Sequence, residues 1–275
     1  YKRQMESLFE SELKGQNGCR IYIVNSEGKE KEELACILVQ HGQDIQLTID
    51  AELQVSLYEQ FKEDKSCSVA MNPYTGEVLA LVSTPAYDNN DFIMGLSSEQ
   101  WTVLNEDENK PMYNRFRQVW CPGSTFKPLS ATAGLEEGVI TAATGINCPG
   151  IFTKITPSPK CWIYPGSHGL DNVSEAIRDS CNVFFYTVGN RLAQKKTGSY
   201  NDANGIDLIQ KYAHIYGLDQ KTGLEISESK SSVATKYPVM AAIGQSDNNY
   251  TTVALSRYVT AVASGKKYNY QLMNK

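Results

Sequence analysis

An α+β fold is predicted by three observations. Short runs alternate apolar and polar residues as half-buried strands do, at Ile45-Gln46-Leu47-Thr48-Ile49 and around Asn72-Pro73-Tyr74-Thr75-Gly76. Helical periodicity occupies other stretches, at 124–136, 174–193 and 204–216. Strands and helices therefore come in clusters, which is the pattern of an α+β domain.

Residues 1–44 come first and are polar and mixed. Leu8, Phe9 and Leu13 mark one short helix, closed by Gly15. Arg20-Ile21-Tyr22-Ile23-Val24 reads as a strand with Asn25 to Gly28 as its turn. This piece is too small to stand alone and reads as the tail of another domain. A new unit, 45–275, opens on the strand Ile45–Ile49. Asp50 then caps a helix whose apolar face is Leu53, Leu57 and Phe61. Ser68-Val69-Ala70-Met71 and Glu77-Val78-Leu79-Ala80-Leu81-Val82 form a hairpin across the Asn-Pro-Tyr-Thr-Gly turn. A polar connection leads to the three helices. No internal repeat or low-complexity segment interrupts them.

Composition narrows the function. The net charge of −5, with Lys and Arg scattered, excludes the concentrated basic surface that nucleic-acid binding needs. No run approaches the roughly 20 apolar residues of a membrane helix. The chain begins at Tyr1 without a methionine, which reads as a cut. Seven cysteines cannot all pair internally, so their placement carries more information than their number.

Pro122-Gly123-Ser124-Thr125-Phe126-Lys127 is the most informative hexapeptide. Pro-Gly turns the chain, Ser124 opens a helix, and Lys127 lies one turn on, on the same face. A serine hydroxyl needs a nearby base to become a nucleophile, and a desolvated, neutral Lys127 meets that need. The helix N-terminus favours the negative charge of a tetrahedral intermediate. By itself S-x-x-K also describes an ordinary capping serine. Ser180-Cys181-Asn182 decides between the two, read here within a helical segment from Val173 to Leu192 and ahead of Phe184-Phe185-Tyr186. S-x-x-K followed by an S-x-N-type triplet belongs to the signature of penicillin-binding proteins and related serine enzymes.

The chain resembles the transpeptidase domain of class B penicillin-binding proteins, and most closely their elongation-type subfamily. Besides the two motifs, the resemblance is carried by Leu47-Thr48-Ile49-Asp50, by Ala70 to Ala80, by Ser83-Thr84-Pro85-Ala86-Tyr87-Asp88, by Asn114-Arg115, by Gly169 to Tyr186 and by Ala242-Ile243-Gly244-Gln245. It implies a penicillin-binding protein/serine β-lactamase-like fold, with residues 1–44 as the end of an N-terminal pedestal. It implies a peptidoglycan DD-transpeptidase in which Ser124 attacks the D-Ala-D-Ala carbonyl of a stem peptide, Lys127 and Ser180 move protons and Asn182 holds the substrate. β-Lactams would acylate the same serine, and no cofactor is needed for catalysis. The implied setting is a bacterial membrane with a single-pass anchor, the domain on the outer face, beside a membrane glycan polymerase of the elongation machinery. Two other readings stay open: a serine β-lactamase-like hydrolase, against which the second motif is not of the S-x-V type, and a non-catalytic scaffold or sensor.

The family's third motif, K-T-G, should follow the second at a distance. Lys196-Thr197-Gly198 comes too soon, and Lys221-Thr222-Gly223 sits in a loop segment, so the true motif is expected past Lys275 and the domain is expected to be C-terminally incomplete. Finally, Cys148, Cys161, His168 and Cys181 surround the second motif and form a Cys₃His set suited to structural zinc. The family resemblance implies a metal site here, with Cys standing where relatives carry Asp. A Cys148–Cys161 disulfide, or unrelated buried thiols, are the alternatives.

Overall fold

A computed structural model describes residues 5–267 and 269. The single helix expected near Leu8 is two short ones, α1 (Met5–Leu8) and α2 (Glu10–Leu13). Phe9 separates them with a non-helical backbone (φ −107°, ψ 29°) and a buried ring. β1 (Cys19–Val24) pairs antiparallel with β2 (Glu30–Ile37). The turn is an Asn turn as expected: Asn25 Oδ1 accepts from the N–H groups of Glu27 and Lys29 at 3.0 and 2.8 Å. β2 escaped the sequence reading because every residue of both strands is exposed, so no face alternation exists to be seen.

Ile45–Ile49 does not form the expected strand. It is fastened to the next hairpin by single bonds rather than a ladder: Thr48 Oγ1 donates to Val78 O at 2.7 Å and Asp50 N to Leu79 O at 2.9 Å. α3 (Ala51–Phe61) follows, capped by Asp50 accepting from Leu53 N at 3.0 Å. The hairpin is β3 (Ser66–Met71) and β4 (Val78–Thr84), in register from Ser66 opposite Thr84, with a bulge at Met71. On β4 the alternation is regular, with Val78, Ala80, Val82 and Thr84 buried. The polar connection holds α4 (Asn89–Met94) and α5 (Ser98–Glu106). Ser97 and Gln100 form a capping box for α5, a start signal that the sequence does contain.

The second half carries the main core. In order come β5 (Val119–Trp120), a 3₁₀ turn at Gly123–Phe126, α6 (Lys127–Glu136), β6 (Ile146–Cys148), β7 (Gly169–Asp171), α7 (Val173–Arg178), α8 (Asn182–Gln194), α9 (Asp202–Ile215), α10 (Pro238–Ala241), β8 (Tyr250–Thr251) and α11 (Thr252–Ser264). β5 pairs with β8 and β6 with β7, both antiparallel. Phe126 and Leu129 on the nucleophile segment pack into one buried cluster with Phe184, Phe185, Val188 and Leu192 of α8 and Ile209 of α9. The helix expected over 174–193 is two helices broken between Arg178 and Asn182, so Ser180 and Cys181 lie outside a helix and Asn182 opens α8.

Candidate active site and candidate metal centre

Ser124 stands on the 3₁₀ turn that runs into α6. The turn is held from behind by the segment at Gly244. Gly123 N donates to Gly244 O at 3.1 Å, and a Cβ on Gly244 would lie 2.1 Å from Gly123 O. With φ +73° as well, only glycine fits there. Phe126 stacks on Tyr250 with ring centroids 5.9 Å apart, and Thr125 Oγ1 donates to Pro122 O at 2.8 Å, so both neighbours of the motif are fixed.

The second motif sits at the break between α7 and α8. Cys181 N donates to Ala176 O at 2.9 Å and Ser180 N to Ile177 O at 3.2 Å, closing α7. Ser180 takes a left-handed backbone (φ 51°), uncommon for a non-glycine residue and a mark of a constrained site. That turn aims Ser180 and Asn182 at Lys127. Lys127 is only 1 % exposed, and its ammonium donates to Ser180 O (2.7 Å), Ser180 Oγ (2.9 Å) and Asn182 Oδ1 (2.7 Å). Ser180 Oγ in turn donates to Ser124 Oγ at 2.9 Å. Among the described residues, the link from Lys127 to Ser124 therefore runs through Ser180 and is not direct. Burial pulls the Lys127 pKa down to about 8, the direction a general base requires.

The four predicted metal ligands converge behind this turn. Cys148, Cys161 and Cys181 are buried, His168 is half-buried, and all four ligand atoms lie within 4.8 Å of one another. Nδ1 of His168 is 3.5 Å from Cys148 Sγ and 3.6 Å from Cys161 Sγ. In a tetrahedral zinc site, with Zn–S near 2.3 Å and Zn–N near 2.0–2.1 Å, the S···N edge is about 3.6 Å, so the residues fit that ion. All three thiols are free, which does not support the disulfide alternative. Burial pushes the Cys181 thiol well above its ordinary range. Burial acts the same way on Cys161, but the N–H groups of Val183, Asn182 and Ile163 and the Cys148 thiol outweigh it and leave Cys161 below its ordinary value. Asn182 N donates to Cys161 Sγ at 3.3 Å, tying the cluster to the first turn of α8.

Neither K-T-G triplet joins the site. Lys196 pairs with Asp207 of α9 at 3.3 Å, on an exposed end of α8. Thr222 is buried and donates to Glu228 Oε1 from both N and Oγ1, and Arg257 binds Lys221 O at 2.8 Å, so that loop is structural. The residue that the sequence reading missed is Gly244 as the support of the nucleophile turn; its signal was the Gly-Gln dipeptide, whose role only the tertiary contact reveals.

The family description "Penicillin binding protein transpeptidase domain" matches residues 66–275. The chain belongs to this transpeptidase family. Its relatives include penicillin-binding protein 3 of Bacillus subtilis, 33% identical over 84% of this chain and 32% of the relative. The peptidoglycan D,D-transpeptidases MrdA of Escherichia coli and Acinetobacter baumannii are 34% and 37% identical, over 84% and 69% of this chain and 35% and 27% of those proteins. The penicillin-binding protein PBP2 of Helicobacter pylori, solved in complex with MreC, superposes with a TM-score of 0.81 at 26% identity, over 98% of this chain and 51% of its own. A peptidoglycan synthase complex described as coordinating polymerization and crosslinking contains a chain with a TM-score of 0.85 at 30% identity, over 98% of this chain and 51% of its own. This transpeptidase-family chain thus spans about a quarter to a third of the length of those curated relatives.

Proposed function

We propose that the protein is a peptidoglycan DD-transpeptidase working through a serine acyl-enzyme, and that β-lactams acylate the same serine. The hydrogen-bonded series Lys127–Ser180–Ser124 is the observation that carries this reading. With Lys127 neutral, the Ser124 proton passes to Ser180 Oγ as the Ser180 proton passes to Lys127. Ser124 Oγ then attacks the carbonyl of the penultimate D-alanine. The tetrahedral intermediate collapses, and the proton returns from Lys127 through Ser180 to the departing amine of D-alanine. An amine from a second stem reverses the sequence and frees Ser124 with a new peptide bond formed. Asn182 Oδ1 accepts from Lys127, which leaves the Asn182 amide N–H groups for a substrate carbonyl.

Cys148, Cys161, His168 and Cys181 would hold one structural zinc, which when bound pins the 148–168 loop to the second motif. Catalysis itself takes no cofactor in this reading. Residues 1–44 are proposed as the end of a pedestal, and 45–275 as part of the transpeptidase domain. A membrane anchor and a glycan-polymerase partner are proposed from the relatives; among the described residues no helix is long and apolar enough to cross a membrane.

Fluorescent penicillin applied to the full-length protein tests the reading. One covalent label per molecule should map to the peptide bearing Ser124, and Ser124→Ala should abolish it. Labelling that survives Ser124→Ala would remove the nucleophile assignment.

A further inference from the structure

A cavity of about 290 Å³ opens where the entry segment 45–49, α3, β4 and the stretch 111–116 meet. Neither the nucleophile hexapeptide nor the second motif contributes a residue to its lining. The walls are mainly apolar, with Leu47, Ile49, Leu81, Met112, Phe116 and Ile226 among them. No Asp, Glu, Lys, Arg or His lines it among the described residues. Apolar surface facing water in a concavity gains free energy when a ligand of matching size displaces that water. An ion entering here would lose its hydration with no opposite charge to replace it, so the lining selects for a neutral ligand.

The polar groups of the wall divide into two kinds. Gln54 and Ser83 are already committed. Gln54 Nε2 donates to Leu81 O at 2.7 Å and its Oε1 accepts from Leu81 N at 2.8 Å. Ser83 Oγ donates to Tyr113 O and accepts from Arg115 N, both at 3.1 Å. Tyr58 Oη and the Asn114 side chain are uncommitted: neither forms a hydrogen bond among the described residues, and Asn114 Oδ1 is buried. Buried polar atoms are nearly always paired, so an unpaired amide beside an apolar cavity marks where a ligand's polar group is accommodated.

We propose that this cavity binds a small, uncharged molecule with an apolar body the size of a fused bicyclic ring and one hydrogen-bonding group for Tyr58 and Asn114. The site stands apart from the transpeptidase reading and does not depend on it. Indole is the probe, titrated into the full-length protein by calorimetry. It should bind with a Kd of about 1 mM or tighter, given the efficiency usual for ligands of that size. The anionic indole-3-carboxylate should bind about tenfold more weakly or worse. Leu47→Trp and Ala86→Trp add bulk from two segments of the wall, and each should weaken indole by about tenfold or more. Penicillin acylation at the wild-type rate in these variants shows that the domain is folded. The double variant Tyr58→Phe/Asn114→Leu should weaken indole about threefold to tenfold, the worth of a hydrogen bond, and leave its hydrocarbon isostere indene unaffected. That contrast carries the test by itself if the tryptophan variants fail to fold. No saturable binding of indole up to about 5 mM overturns the proposal. Indole affinity unchanged in both folded tryptophan variants overturns it as well, because the ligand would then sit elsewhere. So does carboxylate binding as tight as that of indole, or an equal loss for indole and indene in the double variant.

Discussion

The nucleophile turn and the second-motif turn meet at one hydrogen bond, Ser180 Oγ to Ser124 Oγ, but they are built on different principles. The first is held by backbone and packing. Gly244 backs directly onto Gly123, Phe126 is fully buried against Tyr250, and Leu129 N donates to Tyr258 Oη at 3.0 Å. The second is held by side-chain chemistry: three acceptors for one buried ammonium on one side and a sulfur cluster on the other. Steric support has no chemical switch, whereas thiolates and an ammonium respond to metal and pH. Perturbing each side separately should therefore give different signatures.

The largest expected effect lies where the two turns join. Lys127→Ala removes the proton acceptor and leaves Ser180 O, Ser180 Oγ and Asn182 Oδ1 without their buried donor. Acylation by fluorescent penicillin should fall by about 10²–10⁴-fold, the usual contribution of a positioned base. Acylation rates within threefold of wild type would assign the base elsewhere. Next is Gly244→Ala, which strikes only the steric side. Its Cβ would sit 2.1 Å from Gly123 O and 2.8 Å from Phe126 Cβ, so the nucleophile turn must move. A displacement on the order of 1 Å costs roughly 10² in rate. Metal content should not change, and a variant that loses metal along with activity would show that the two turns are not independent.

On the chemical side, metal analysis should find one zinc per molecule, and Cys161→Ser should lose it. Losing the cluster frees the loop behind Asn182, so thermal stability should drop and acylation slow by about tenfold, within the range for disturbed metal shells. Metal-free protein with unaltered stability and acylation would leave the four residues as buried thiols and an imidazole. The pH response follows from Lys127. Its pKa is lowered by burial to about 8 and the neutral form is the active one, so acylation should rise with pH through that value. The neutral fraction is about one tenth at pH 7 and about nine tenths at pH 9, so the rate should gain roughly tenfold between them. A profile that is flat from pH 7 to 9 would contradict a lysine base at this pKa.

The same division explains what could be seen in the sequence. Ser124, Lys127, Ser180 and Asn182 were legible because they form motifs, and the clustered Cys148, Cys161, His168 and Cys181 because thiol and imidazole types are chemically distinctive. The hairpin at Asn72 and the cap at Asp50 followed from local turn and cap chemistry, which the structure reproduces. What failed was set by tertiary context. A continuous apolar periodicity over 174–193 hid the break at Ser180, because both helices share one core and only the left-handed turn between them separates their axes. Ile45–Ile49 alternates like a strand, yet Thr48 meets Val78 through its side chain, an outcome that pattern alone does not encode. Gly244 was visible only as part of the Ala242-Ile243-Gly244-Gln245 segment, without its role; its need for glycine comes from a segment more than a hundred residues away in sequence.

The smallest effect is the most discriminating about α7. This helix leads into the second-motif turn, and Asn172 caps it: Oδ1 accepts from Ser174 N at 2.9 Å and Glu175 N at 3.1 Å, while Glu175 Oε2 accepts from Asn172 N at 2.8 Å. Asn172→Ala should cost about 1 kcal/mol of stability, the usual loss for such a cap. Its consequence for chemistry depends on what positions Ser180. If Lys127 and the sulfur cluster hold the turn, a frayed α7 leaves Ser180 in place, and penicillin acylation should stay within about twofold of wild type. Urea unfolding and acylation kinetics on the same preparation measure both quantities. A midpoint shift accompanied by a tenfold fall in acylation would mean that α7 itself aims Ser180, and the second turn would then be held by backbone, as the first one is.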